Sequence, residues 1–289
     1  MDKKIIQNKI RRLFNIHHRQ AFAYHRYPLN FLRKKPVFFL IGTQKAGTTS
    51  LFSYLIQHPE IASPIIKELQ FFNMNYQRGI NYYHSFFPLK ALSGKKVIAG
   101  EATPDYFDHP LAPERLYKYN PQAKLIVVLR DPVKRAFSHF NFVKSYNNDI
   151  KNASFFEALD KEKKILKTAF EHIRTQPVKS AIDISNYGYI YKGEYINHLR
   201  RWFRFFSKNQ ILIIDFNLLK TNPEQVLETI CKFLEIDESF KFSTAQKQNQ
   251  TTYYSKLTYD EQAVLIKHFT PYNKELFDFL GEKFDWLMN

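Results

Sequence analysis

At 289 residues, 44% of them hydrophobic and 17% aromatic, the chain can bury a sizeable core, and wholesale disorder is excluded. Its 43 Lys and Arg against 27 Asp and Glu leave a net charge of +16, a field that draws anionic ligands and excludes a self-solvating acidic polymer. A single cysteine, Cys231, rules out an intrachain disulfide, and the roughly 18 consecutive apolar residues that a spanning helix needs are nowhere found.

Residues 3–24 read as a basic amphipathic helix. Ile6, Ile10, Leu13, Phe14, His17 and Ala21 recur at helical spacing among Lys3, Lys4, Lys9, Arg11, Arg12 and Arg19. Such a segment either packs on its own domain or lies on an anionic membrane surface. It lacks the long apolar stretch of a secretory signal. A cytoplasmic location, peripheral at a membrane through 3–24, is the expectation, with residues 1–35 as an N-terminal segment and 36–289 as one domain.

An apolar strand is predicted at 37–41, followed by a loop and a helix through Leu51, Leu55 and Ile56 that stops near His58-Pro59. Further strands are predicted at 97–100, 124–129 and 211–214. Helices are expected after Asp131-Pro132 to about 146, after the Ser154/Glu157 capping box, over 193–206, and after Asn222-Pro223. Pro271 is expected to open the last one. Trp202 and Cys231 read as core residues. Strands alternating with helices predict a three-layer, P-loop-like α/β fold with a mostly parallel central sheet.

The loop reads Gly42-Thr43-Gln44-Lys45-Ala46-Gly47-Thr48-Thr49-Ser50. A strand, a glycine loop and a helix start form an anion site, because backbone N–H groups at a helix start point toward the ligand. Gly47 permits close backbone approach. A Walker A loop puts Lys directly after its second glycine. Here that position holds Thr48, and Lys45 lies inside the loop.

The loop resembles the 5'-phosphosulfate loop of sulfotransferases that use 3'-phosphoadenosine-5'-phosphosulfate (PAPS). The resemblance is to the heparan sulfate N- and 3-O-sulfotransferase type and its bacterial relatives, from about residue 38 to the C-terminus. It implies that Lys45, Ala46, Gly47, Thr48, Thr49 and Ser50 bind the donor. It implies further that Arg130 and Ser138, in Leu129-Arg130-Asp131-Pro132 and the helix after it, hold the 3'-phosphate. Arg135 reads as a surface charge. Lys247, Asn249 and Lys256 resemble a late donor-binding segment. Glu68, in Lys67-Glu68-Leu69-Gln70-Phe71-Phe72, inherits the role of general base, with Lys67 and Gln70 as acceptor-binding residues and Phe71 and Phe72 as walls that exclude water.

Within 100–107 the relatives commonly carry a lysine where this chain has Ala102, and Lys67 is a candidate to replace it. The implied reaction is sulfuryl transfer from PAPS to a hydroxyl or amine of an acceptor, a carbohydrate by expectation, leaving 3'-phosphoadenosine-5'-phosphate (PAP). Neither a metal nor nucleic acid is expected; His84, His109 and His139 have no partners at metal-ligand spacing. Two alternatives stay open: a P-loop kinase, and a non-catalytic module that binds acidic polymer.

Overall fold

The structure is a computed structural model that describes residues 22–90, 96–244, 254 and 256–286. Among the described residues one sheet is formed by β1 (Pro36–Gly42), β2 (Ile61–Ala62), β3 (Ile98–Ala102), β4 (Lys124–Leu129) and β5 (Ile211–Asp215). Its order is β2-β3-β1-β4-β5, and every pairing is parallel. The apolar runs of β1 and β4 follow from this, because both faces of a parallel sheet are covered. Phe39, Ile41, Leu125 and Val127 face a core that holds Phe72, Tyr83 and Trp202. Phe38, Leu40, Ile126 and Val128 face a second core with Leu51, Leu55, Leu227 and Cys231.

The helices are α1 (Thr48–Leu55), α2 (Gly79–His84), α3 (Ala112–Tyr119), α4 (Pro132–Lys144), α5 (Phe155–Glu171), α6 (Pro177–Tyr187), α7 (Tyr195–Phe203), α8 (Phe216–Thr221), α9 (Pro223–Leu234) and α10 (Tyr259–Leu280). Asp131 caps α4 by accepting from the N–H groups of Val133 and Lys134, and Ser154 with Glu157 caps α5, as their sequences predict.

The last helix differs from expectation. Thr258 and Glu261 form a capping box that opens α10 twelve residues before Pro271, which lies inside the helix. A proline removes one helix hydrogen bond. The burial of Leu265, Phe269, Leu276 and Phe277 on both sides of it holds the helix together. The strand missed by the sequence pattern, β2, has two residues, too few for any periodicity.

Strand order reverses direction at β1. The chain moves through β2 and β3 to one side of it, and through β4 and β5 to the other. In open α/β sheets the crevice beyond the strand carboxyl ends at such a switch point is where ligands gather. The carboxyl ends of β1 and β4 are Gly42 and Leu129, so the fold brings the glycine loop beside Arg130.

Candidate active site

The loop after β1 is tied to β4 by two bonds, since both the N–H and the Oγ1 hydroxyl of Thr43 donate to the Val128 carbonyl at 2.9 Å. Gly47 sits at φ 75°, the left-handed region where a side chain is strained, and a Cβ there would lie 3.1 Å from the Phe216 ring. It turns the chain directly into α1. Ala46 and Thr48 are buried at this turn. Arg130 donates from Nη1 to the Lys45 carbonyl at 2.8 Å, and its guanidinium lies 5.0 Å from the Phe216 ring centroid. Tyr195 donates to the Arg130 carbonyl at 2.7 Å. The two predicted phosphate-binding strings, 85 residues apart, are therefore in direct contact.

Lys45 itself has φ 71°. Its Nζ lies 4.2 Å from the centroid of the Phe142 ring on α4. Burial, with Arg130 and Arg135 adding repulsion, pulls its ammonium down to about 8. Ser138, also on α4, is buried.

Arg135 corrects the expectation of a surface charge. It is fully buried, and its guanidinium donates to the Tyr189 carbonyl, with the carboxylates of Asp108 and Glu162 close enough to act on it. Its place on the inward face of α4, beside Val133 and Ala136, decides this. Burial raises Asp108 to about 6 and Glu162 to about 7.

The second half of the site follows β2. Glu68 and Gln70 both lie in the left-handed region, at φ 62° and 52°. Three backbone N–H groups hold this segment against the end of β3: Glu68 to the Ala102 carbonyl at 3.2 Å, Gln70 to Thr103 Oγ1 at 3.4 Å, and Phe71 to the Tyr106 hydroxyl at 2.8 Å. Tyr106 and Thr103 in turn donate to the buried Glu101 at 2.8 and 2.7 Å. Non-glycine residues with positive φ persist where surrounding bonds over-determine them, and such strain clusters at functional sites.

Lys67 joins the two halves. Its Nζ lies 2.8 Å from Glu68 Oε1 and 3.2 Å from Thr49 Oγ1 on the first turn of α1. The Glu68 carboxylate is half-exposed, with 43% of its side chain open to solvent. Gln70, expected to meet an acceptor, donates from Nε2 to Asp105 at 3.1 Å and accepts at Oε1 from Asn73 Nδ2. Phe71 and Phe72, expected as site walls, are instead buried in the core against Tyr83. The segment winds into a short helical turn at Phe71–Asn75, which carries both rings inward.

Sequence reasoning missed a polar cluster behind the segment, in which buried Asp105 and Lys192 meet half-buried Ser185 and Gln44. Only proximity in space unites them. Lys247 and Asn249, like residues 3–21, lie outside the described residues. Among the described residues no group of three or more His, Cys, Asp and Glu is placed to hold a metal, and no helix is long and apolar enough to cross a membrane.

A family model described as "Sulfotransferase domain" matches residues 35–283. The mouse "Bifunctional heparan sulfate N-deacetylase/N-sulfotransferase 3" is 34% identical over 217 residues, which cover 73% of this chain and 23% of the relative. The Drosophila melanogaster "Bifunctional heparan sulfate N-deacetylase/N-sulfotransferase" is 32% identical over 225 residues, covering 72% of this chain and 20% of the relative. The chain thus spans less than a quarter of the length of these curated relatives. Among solved structures, a sulfotransferase from Alicyclobacillus acidocaldarius superposes with a TM-score of 0.67 at 27% identity, over 86% of this chain and 97% of that one. The glycine loop at the switch point, the arginine beside it and a family match over residues 35–283 agree: the chain belongs to the sulfotransferase family.

Proposed function

We propose that the protein transfers the sulfuryl group of PAPS to a hydroxyl or amine of a glycan. The observation that carries this reading is the bridge made by Lys67, which puts Glu68 within one side chain of the donor loop. PAPS supplies an electrophilic sulfur and a phosphate leaving group. The acceptor oxygen or nitrogen forms a bond to sulfur, the bond from sulfur to the 5'-phosphate oxygen breaks, and that oxygen keeps the electron pair. Glu68 takes the acceptor proton. Lys45 and the N–H groups of Gly47, Thr48, Thr49 and Ser50 stabilise the charge that grows on the leaving oxygen. Arg130 and Ser138 hold the 3'-phosphate, with a planar guanidinium suited to bidentate phosphate contact. Lys247 and Asn249 belong to the same donor site in this reading, and Lys67 meets the transferring group from the acceptor side.

The chemistry needs no metal as written, because cationic and backbone donors neutralise the leaving group. A glycan acceptor draws support from the relatives, whose names specify heparan sulfate, and from the net charge of +16, which attracts an acidic chain. Membrane contact through 3–24 remains part of the proposal on the strength of its basic amphipathic pattern.

The test is transfer of radiolabelled sulfate from PAPS to N-desulfated heparan sulfate, to unsulfated chondroitin and to a glycolipid. Label in one of the polysaccharides is expected. Label only in the glycolipid makes the acceptor a lipid-borne glycan instead of a polysaccharide, and label in none overturns the glycan reading. Glu68→Ala should lower turnover about 10²- to 10⁴-fold, the usual worth of a general base, with PAP binding intact. Full turnover in that variant removes the base assignment.

A further inference from the structure

The donor loop and the base-bearing segment are joined a second time, underneath the surface. Lys192 follows α6 in the chain, in the 3₁₀ turn Tyr191–Gly193, and its side chain is 2% exposed. Its Nζ lies 2.6 Å from Asp105 Oδ1, 3.2 Å from Gln44 Oε1 and 3.4 Å from Asp108 Oδ2. Gln44 is the neighbour of Lys45 in the donor loop. Asp105 Oδ2 accepts from Gln70 Nε2 at 3.1 Å and from Ser185 Oγ at 3.1 Å. Gln70 lies two residues beyond Glu68 at φ 52°. One unbroken polar chain therefore runs from Gln44 through Lys192 and Asp105 to Gln70.

Each link is specific. Gly188 packs directly beside the Lys192 stem: a Cβ there would stand 2.8 Å from the Ile184 carbonyl and 3.1 Å from Lys192 Cγ. Both carboxylate oxygens of Asp105 are engaged, and the acid has a cation on one side and two neutral donors on the other. Burial works to raise the Asp105 carboxyl, but Lys192, Gln70 and Ser185 outweigh it and hold it below the usual carboxylate range. Lys192 and Asp105 are buried, and hydrogen-bonded links of this kind favour one geometry, whereas an exposed pair would leave several.

We propose that Lys192 is a positioning residue for sulfuryl transfer: acting through Asp105 on Gln70 and directly on Gln44, it sets the separation between the donor loop and Glu68. It touches neither donor nor acceptor. In-line transfer depends on that separation, since misplacing a reacting group by about 1 Å can cost on the order of 10²-fold in rate. This inference rests on the sulfotransferase reading above.

The experiment compares the whole chain with Lys192→Met, Lys192→Arg and Asp105→Asn. The assay uses PAPS and N-desulfated heparan sulfate, with PAP affinity measured separately by calorimetry. Lys192→Met and Asp105→Asn should each lower kcat by about 10- to 100-fold, a rate loss typical of misplacement. PAP affinity should change less than about threefold, because the Arg130 contact to the loop survives. Lys192→Arg, which keeps the charge, should recover at least half of the lost activity on a logarithmic scale.

A role confined to stability would lower kcat and PAP affinity together with the melting temperature, and that outcome overturns the proposal. Unchanged kcat in a folded Lys192→Met overturns it as well. If Lys192→Met does not fold, the near-isosteric Asp105→Asn decides, and full kcat in that variant is equally fatal. Failure of the underlying reading looks different: the unsubstituted protein would then transfer no sulfate at all.

Discussion

The two halves of the site are built in opposite ways. The half proposed to hold the donor is local: Gly42 to Ser50 is one continuous string, and Arg130 to Ser138 is another, each placed by the strand that precedes it. Its left-handed turns fall on Gly47, where φ 75° carries little strain, and on Lys45 at φ 71°, which is not glycine. The half proposed to meet the acceptor is assembled from distant pieces. Lys67 to Gln70, Asp105, Ser185 and Lys192 meet across sequence separations of 35 to 87 residues. Its left-handed turns fall on Glu68 and Gln70, which are not glycine, and side-chain bonds hold them. The comparison teaches that an anion site at a helix start is a backbone property, while the placement of Glu68, the proposed base, is a tertiary one.

If that contrast is right, damage to the donor half should be severe and should show in donor affinity or donor-dependent rate. Lys45→Ala removes the cation proposed to stabilise the leaving oxygen and should lower kcat/KM about 10²- to 10³-fold, as loss of a preorganised charge donor does. Initial rates at varied PAPS measure it, and a loss below threefold would shift the leaving-group role to the backbone alone. Arg130→Ala comes next. It deletes charge-assisted bonds worth about 1.5–3 kcal/mol, so PAP should bind about 10- to 150-fold more weakly by calorimetry. The melting temperature should fall too, because the same guanidinium steadies the loop through the Lys45 carbonyl.

What the sequence disclosed follows the same division. The apolar runs at 37–41 and 124–129 announced β1 and β4, and the glycine spacing announced the loop between β1 and α1, because those features are short-range. Arg135 misled for the opposite reason. Nothing in Val133-Lys134-Arg135-Ala136 says that carbonyls 53 and 54 residues onward will meet its guanidinium. Phe71 and Phe72 misled because an aromatic pair beside a base looks like a site wall, whereas a turn at Phe71–Asn75 rotates both rings into the core. Ala102 was informative in combination only. The missing strand lysine made Lys67 worth watching, and the structure places its Nζ 2.8 Å from Glu68.

A smaller effect separates charge from contact at the donor half. Lys45 is held at about 8 by burial and by Arg130 and Arg135. Its pKa is below the ordinary lysine value, so the ammonium is present below pH 8 and is lost as pH rises above it. Anionic donor favours the charged form. PAP affinity should therefore be flat up to about pH 7.5 and weaken about tenfold by pH 9. Calorimetry in buffers of different ionisation enthalpy should show proton uptake on binding near pH 8.5. Lys45→Arg, which stays charged, should abolish both the slope and the uptake. An unchanged slope in that variant assigns the titration elsewhere.

The finest test lies in the backbone of the acceptor half. At φ 52° Gln70 carries strain of roughly 1–2 kcal/mol relative to a relaxed residue. Gln70→Ala keeps the Cβ responsible for that strain and loses the bond to Asp105, so both effects act against the fold. Gln70→Gly also loses the bond but relieves the strain. The glycine variant should therefore melt higher than the alanine variant, by about 2–4 °C for a difference near 1 kcal/mol in a chain of this size. Both should lose activity alike, since both free Asp105 from the base-bearing segment. Equal melting temperatures would show that the turn carries no strain. In that case the bond from Gln70 to Asp105 would be a consequence of the turn, and Lys192 would have to act through Gln44 alone.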